Sequence, residues 1–73
     1  MWVTGQYNSY SINLGGFYGR VIWESSETGF KGSFENWTLK PRFKSLDEAK
    51  AAVERLAIRK AEELLAAVNT LRK

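Results

Sequence analysis

The sequence predicts an α+β fold in which a three-stranded antiparallel sheet (β-β-β-α) packs on one long C-terminal helix. Three observations predict it: a Gly15-Gly16 pair between two alternating runs, a third alternating run, and a final segment free of Gly and Pro. A chain of 73 residues has room for one domain, which we assign to residues 1–73. We expect the sheet at about residues 7–39 and the helix at about residues 46–71.

The Gly15-Gly16 pair predicts a two-residue hairpin turn, because both central residues of a type I′ turn need a positive φ. This turn fixes the register of two strands, from Leu14 opposite Phe17 to Ser9 opposite Ile22. Since side chains alternate across a strand, one face of the sheet is apolar and the other polar. The apolar face collects Tyr10, Ile12, Leu14, Phe17, Val21 and Trp23, and the polar face collects Ser9, Ser11, Asn13, Tyr18, Arg20 and Ile22.

A third strand is predicted after the turn that ends at Gly29. Its residues alternate and so extend both faces of the hairpin. The inward set is Phe30, Gly32 and Phe34, and the outward set is Lys31, Ser33 and Glu35. We expect Trp37 and Leu39 to prolong this strand past a bulge, and Pro41 to end it because proline cannot donate to a ladder.

The helix is predicted to begin with a capping box, in which the Ser45 hydroxyl accepts a hydrogen bond from the Glu48 amide and the Glu48 carboxylate reaches back to Ser45. Apolar residues then recur at helical spacing from Leu46 to Leu71, so that one stripe faces the sheet. A helix of ~26 residues is ~39 Å long, whereas a seven-residue strand spans ~23 Å, so we expect the helix to overhang the sheet. Lys60 interrupts the stripe, and we expect its ammonium to bend to water over an apolar stem.

The overhanging end of the helix carries large apolar side chains that need cover. These are Leu64, Leu65, Val68 and Leu71. We predict that they form the interface of a two-fold homodimer, because fully burying a Leu or Val contributes ~1.5–3 kcal/mol. The alternative is that Trp2 and Val3 fold back over them within the monomer.

The composition argues against most catalytic chemistry. The chain has no His and no Cys, so the usual nucleophile–base pairs and thiolate metal sites are missing. The carboxylates lie in turns and on the helix, where pairs such as Lys50–Glu54 and Arg59–Glu63 give them a structural role. We expect a protein that is not an enzyme, uses no cofactor or metal, takes no small-molecule substrate, and binds a nucleic acid or a protein.

The polar sheet face is the predicted binding surface. The net charge is +3, and residues 40–73 hold nine basic against five acidic residues. Arg and Asn on a flat sheet can read base edges in a DNA major groove, while Lys and Ser contact phosphates. The residues predicted to contact the macromolecule are Tyr18, Arg20, Lys31, Asn13 and Ser11. The alternative is a solvated face, since two cations are few for DNA binding.

One family resemblance supports the DNA-binding interpretation. It covers about forty residues and is carried by Trp37-Thr38-Leu39, followed by Phe43, Ser45, Glu48, Ala49 and Ala52. This pattern resembles the end of the AP2 and integrase arm-binding type of β3α DNA-binding domain. The resemblance implies DNA contacts by Arg20, Tyr18 and Lys31, although this chain has Ser and Asn where that family has Arg and Trp.

A rival interpretation is a protein-binding inhibitor or adaptor. In size and in its apolar helix overhang, the chain looks like the small accessory proteins that phages and mobile elements encode, including the anti-CRISPR class.

We also expect a cytoplasmic protein. Residues 2–6 have neither the basic start nor the apolar stretch of a signal peptide. No apolar run approaches the ~20 residues that span a bilayer.

Overall fold

The computed structural model describes residues 2–72, in which one antiparallel sheet packs against one helix. The elements in chain order are β1 (Trp2–Thr4), β2 (Ser9–Leu14), β3 (Phe17–Ser25), β4 (Gly29–Phe34), β5 (Trp37–Thr38) and α1 (Leu46–Leu71). Each strand pairs with the next strand along the chain, in the order β1-β2-β3-β4-β5. The sheet is therefore a simple meander. Within these residues, no helix has the length and hydropathy that a membrane span requires.

The predicted three-stranded sheet is wrong, because the structure has five strands. The first addition is β1, which begins the sheet at Trp2 rather than near residue 7 and pairs with β2, Trp2 lying opposite Ile12. The chain reverses between them at Tyr7 and Asn8, which have φ values of 55° and 56°. Residues other than glycine rarely adopt positive φ, so the glycine-based signal for a hairpin is missing at this turn.

The second addition is β5, which corrects the expected path of the chain after β4. Glu35 has a φ of 53° and the chain reverses there, so that Trp37 lies opposite Phe34. The Glu35 N–H donates to the Tyr18 carbonyl at 2.8 Å, and its Oε2 accepts from the Tyr18 N–H at 2.7 Å. Trp37 therefore starts a new strand instead of prolonging β4 past a bulge.

The central hairpin has the predicted register, from Leu14 opposite Phe17 to Ser9 opposite Ile22. Both turn glycines have positive φ, 61° and 92°. At the start of α1, Ser45 Oγ accepts a hydrogen bond of 3.1 Å from the Glu48 N–H, which is the first bond of the predicted capping box. Among the described residues, the reciprocal bond from Ser45 to the Glu48 carboxylate is not formed. The local turn and cap signals are thus confirmed.

The core lies between the inner sheet face and the first half of α1. Its buried hydrophobic residues are Ile12, Val21, Phe34, Ala49, Ala52, Val53 and Ala57. Val53 sits above Gly19 in β3 and Gly32 in β4, and a Cβ built on either glycine would lie 2.9 Å from a Val53 methyl. The two glycines let the helix approach the sheet closely.

α1 extends beyond the sheet that it covers. The molecule measures 50 × 21 × 18 Å along its principal axes, and the long axis accommodates a helix of ~39 Å. The buried helix residues end at Ala57. Beyond it Leu64, Leu65 and Leu71 are 56%, 60% and 84% exposed. The second half of the helix is therefore the overhang that the element lengths predict.

Candidate functional site

An apolar groove lies where α1 outruns the sheet, and we call it the distal groove. Its volume is about 730 Å³. One wall is the second half of α1, and the other is formed by residues at the adjoining ends of β3, β4 and β5. The lining residues are Phe17, Phe34, Trp37, Ala57, Lys60, Ala61, Glu63, Leu64, Leu65 and Val68.

The sheet wall of the groove consists of three aromatic rings. The ring centres of Phe17, which begins β3, and Phe34, which ends β4, are 6.3 Å apart. Trp37 stacks on Phe34 at 6.5 Å, with the ring planes within 11°. Phe34 is buried, whereas Phe17 and Trp37 are almost half exposed. The turn at Glu35, for which the sequence carries no glycine signal, brings Trp37 to this wall.

The helix wall continues the core stripe with larger side chains. The covered half of the helix buries alanines and Val53, whereas the overhang presents leucines. The sequence from Leu64 to Leu71, LLAAVNTL, contains no charged residue. A solvated helix face normally carries charged or polar residues, so this segment has the composition of a contact surface.

Lys60 and Glu63 supply the charges that line the groove. Lys60 Nζ lies 4.5 Å from the centre of the Trp37 ring and 3.5 Å from Glu63 Oε1. The ammonium therefore lies over an aromatic face, where the ring quadrupole attracts it, and the Lys60 side chain keeps 26% of its surface exposed. Glu63, predicted to pair with Arg59, contacts Lys60.

A second hollow of about 410 Å³ adjoins the groove on the β2 side. It adds Ile12, Leu14 and Ile58 to the apolar surface and shares the walls formed by Phe17 and Ala61. The exposed apolar surface is therefore continuous around the tip of the β2–β3 hairpin.

The N-terminus does not cover the distal leucines. Trp2 Nε1 donates to Glu54 Oε2 at 2.7 Å, and Lys50 Nζ lies 5.7 Å from the Trp2 ring centre. Glu54 precedes Leu64 by ten residues, or ~15 Å along the helix. Val3 lies in β1 and is 61% exposed. The alternative in which Trp2 and Val3 fold back over the overhang is therefore wrong. The expected Lys50–Glu54 pair is also wrong, because Glu54 accepts from Trp2 instead.

The residues predicted to bind a macromolecule lie on the sheet face opposite α1. The cross-strand pairs are Ser11 with Arg20, Arg20 with Ser33, Asn13 with Tyr18, and Ile22 with Lys31. Asn13 Oδ1 accepts a hydrogen bond of 2.9 Å from the Gly16 N–H, so this side chain also holds the hairpin turn. Their role in binding stays a prediction.

Several basic groups of the second half of the chain are engaged within the molecule. Arg42 Nε donates to Glu24 Oε1 at 2.7 Å. Lys50 Nζ lies 5.1 Å from the Tyr10 ring centre, and Lys60 lies over Trp37. These three basic side chains therefore point to three different partners within the molecule, and they do not form one phosphate-binding patch.

Sequence alternation predicts Phe17 and Phe34 in the core and Trp37 in a prolonged β4, so it does not predict that these three residues line a groove. One sequence feature does indicate that Phe17 lies at the groove: it directly follows the Gly15-Gly16 turn and is therefore at the end of the sheet. A helix longer than the sheet necessarily projects past one such end.

Within residues 2–72, no group of three or more His, Cys, Asp and Glu side chains is placed to hold a metal ion. Comparison of the chain with protein-family models, curated proteins and solved structures finds no match. The resemblances to the AP2 and integrase arm-binding type and to the anti-CRISPR class stay predictions. The candidate function therefore depends on the geometry of the distal groove and of the polar sheet face.

Proposed function

We propose that this chain is a protein-binding module that acts by contact, and that its distal groove receives an amphipathic helix. The observation that carries this proposal is the exposure of large apolar side chains around one concave surface. Leu64 and Leu65 are more than half exposed on one wall, and Phe17 and Trp37 are almost half exposed on the other. Contiguous exposed apolar patches of this kind mark interaction sites.

The shape of the molecule favours a helix over a strand as the bound element. A strand would add to an edge of the sheet, and both edge strands are short: β1 has three residues and β5 has two. Short edges discourage strand addition. Leu64, Val68 and Leu71, by contrast, follow the i, i+4, i+7 spacing with which one helix presents a face to another.

A role in contact rather than catalysis is part of the proposal. It is supported by a sequence without His or Cys, which lacks the commonest general base and the thiolate nucleophile. An inhibitor or an adaptor acts in this way, by binding another protein without catalysing a reaction. We propose the cytoplasm as its compartment, because small secreted domains are commonly rich in disulfides and this chain has no cysteine.

A designed helical peptide of about 15 residues tests the groove directly. It carries Leu at positions i, i+4 and i+7 on a background of Ala, Glu and Lys, and its matched control has the same composition with the leucines scattered around the helix. We expect the striped peptide to shift the indole N–H resonance of Trp37. The indole of Trp23, which pairs with Phe30 on neighbouring strands, is the internal reference.

Substitutions then locate the contact. Leu64→Glu is expected to remove the Trp37 shift, because it places a charge on the groove wall, whereas Val3→Glu, at an exposed position of β1, should leave it unchanged. Equal shifts with both peptides, or no shift at Trp37 with either, would contradict the proposal.

DNA binding by the polar sheet face is a second candidate function. The observation that favours it is the Ser11–Arg20–Ser33 row across β2, β3 and β4, with Lys31 two positions before Ser33 on the same face of β4. Such a row offers one guanidinium flanked by hydroxyls. It could contact a guanine edge and the adjoining phosphates.

Fluorescence polarisation with a mixed-sequence duplex at two salt concentrations tests this second candidate. We expect binding that weakens steeply with salt and that Arg20→Ala/Lys31→Ala abolishes, with a melting temperature lowered by no more than a few degrees. The matched control, Arg55→Ala/Arg59→Ala, removes the same charge from the helix. An equal loss in the control would show that the sheet face is not the contact.

A further inference from the structure

We infer that the helix received by the distal groove carries a carboxylate beside its apolar stripe, and that Lys60 selects this helix by pairing with the carboxylate. The inference rests on the proposed function, because it names the chemical class of partner for the same groove. It goes beyond that proposal in assigning a specificity-determining residue and the sign of the charge that this residue recognises.

Lys60 lies within the helix wall of the groove. Residues four apart in a helix share a face, so Lys60 continues the line of Val68 and Leu64 by one turn towards the covered half of α1. Its Nζ lies 4.5 Å from the centre of the Trp37 ring on the opposite wall. The Lys60 side chain keeps 26% of its surface exposed. A helix that lies along Leu64 and Val68 therefore also covers this ammonium.

Glu63 is a loose partner for that ammonium. It lies roughly 60° around the helix from Lys60, on the side away from Leu64, and so belongs to the rim of the groove. Its side chain is 56% exposed, and its Oε1 lies 3.5 Å from Lys60 Nζ, whereas charge-assisted N–H···O bonds are normally about 2.7–2.9 Å long. When the groove is covered, Glu63 can keep its water while Lys60 loses it.

The loss of water at Lys60 favours an acidic partner. A charge that leaves water is destabilising unless a hydrogen-bonded opposite charge replaces that water. The Trp37 ring attracts the ammonium but offers its three N–H donors no oxygen acceptor. The net charge of the chain, +3, also attracts an acidic segment from a distance and repels a basic one.

Three helical peptides test the sign of the recognised charge. Each carries Leu at i, i+4 and i+7 on an uncharged background of Ala and Gln, and they differ only in having Glu, Gln or Lys one turn before and one turn after this stripe. The same residue at both ends covers both directions of binding and balances its opposite effects on the two ends of the peptide helix. With the Trp37 indole N–H as the readout, we expect the Glu peptide to bind about five-fold more tightly than the Gln peptide, and the Lys peptide about five-fold more weakly.

Substitutions assign this preference to one side chain. Lys60→Met keeps an apolar stem and should bring the three affinities to within about two-fold of one another. Lys60→Glu should reverse their order, so that the Lys peptide binds most tightly. The matched control, Arg55→Glu, makes the same change of charge at an exposed position on the opposite side of the helix and should preserve the order. Glu63→Gln should widen the preference for Glu, because it removes a competing carboxylate.

The outcomes separate this inference from the proposed function. If the Gln peptide shifts the Trp37 resonance but the Glu and Lys peptides bind equally, or the Lys peptide binds best, the role of Lys60 is overturned and the groove function stands. A preference for Glu that persists in Lys60→Met, or that Arg55→Glu reverses as well, would assign it to the net charge of the chain and also overturn the inference. If none of the three peptides shifts the Trp37 resonance, both proposals fail.

Discussion

The two halves of α1 carry the same apolar stripe but meet different surroundings. In residues 46–57 the buried positions are small, three alanines and Val53, because Gly19 and Gly32 bring the sheet close to the helix. Beyond Ala57 the stripe includes Leu64 and Leu71, which are 56% and 84% exposed. Helical periodicity predicts which face is apolar, whereas the length of the sheet determines how much of that face is covered.

The same substitution in both halves should give the largest contrast. Val53→Asp is expected to lower the free energy of unfolding by roughly 3–5 kcal/mol, because Val53 is fully buried and its replacement leaves an unpaired buried charge; this is a large part of the ~4–11 kcal/mol typical for this length. Leu71→Asp should change the stability of the monomer by less than ~0.5 kcal/mol. Urea unfolding followed by circular dichroism at about 1 µM measures both, and a similar loss in the two variants would refute the comparison.

Gly32→Ala probes the close approach in the covered half and should cost about 1–3 kcal/mol. The added Cβ would lie 2.9 Å from Val53 Cγ2 and 3.1 Å from Leu39 Cδ1. Combining it with Val53→Ala should cost less than the sum of the two single changes, because the nearest methyl is removed. Thermal unfolding of the two single variants and the double variant gives the interaction free energy between positions 32 and 53. Strict additivity would mean that crowding against Val53 is not the cause, and Ser33→Ala on the polar face is the neutral control.

The smallest contrast concerns the two ends of α1. Ser45→Ala should cost ~1 kcal/mol, because its hydroxyl caps the Glu48 N–H. Thr70→Ala removes a hydroxyl that donates to the Ala66 carbonyl within the helix at 3.0 Å; it should be neutral or slightly stabilising, since such bonds compete with helix geometry and Ala is the better helix former. Equal costs in urea unfolding would contradict the assignment of Ser45 as the anchoring cap.

The features that could be predicted from the sequence are those encoded by neighbouring residues. The Gly15-Gly16 turn specified the hairpin register, and the Ser45 cap specified where α1 begins, because turn and cap chemistry act within a few residues. The missed strand β1 precedes a turn at Tyr7, and the missed strand β5 follows a turn at Glu35; both residues take positive φ although neither is glycine. Both turns are held by backbone hydrogen bonds to β3, from Glu35 to Tyr18 and from Trp23 to Asn8. These partners are 15 to 17 residues away, so local sequence patterns do not reveal them.

The candidate site could be predicted only in part. The sequence indicated that Leu64, Leu65, Val68 and Leu71 lie beyond the sheet, since helix and strand lengths follow from residue counts. The opposite wall, with Trp37 beside Phe34, depends on β5 and so was missed. Tyr18, Arg20 and Lys31 were correctly placed on one sheet face, and their contact with a macromolecule stays a prediction.

The meander topology has a consequence for folding kinetics. Every strand pairs with its neighbour in the chain, so the sheet can assemble by a succession of short loop closures, which are entropically inexpensive and fast. The sheet then packs against residues 46–57 of α1, which complete the core, whereas the overhang contributes no buried residue to that core. Substitutions in the overhang can therefore change which surface the protein recognises without slowing the formation of the domain that carries it.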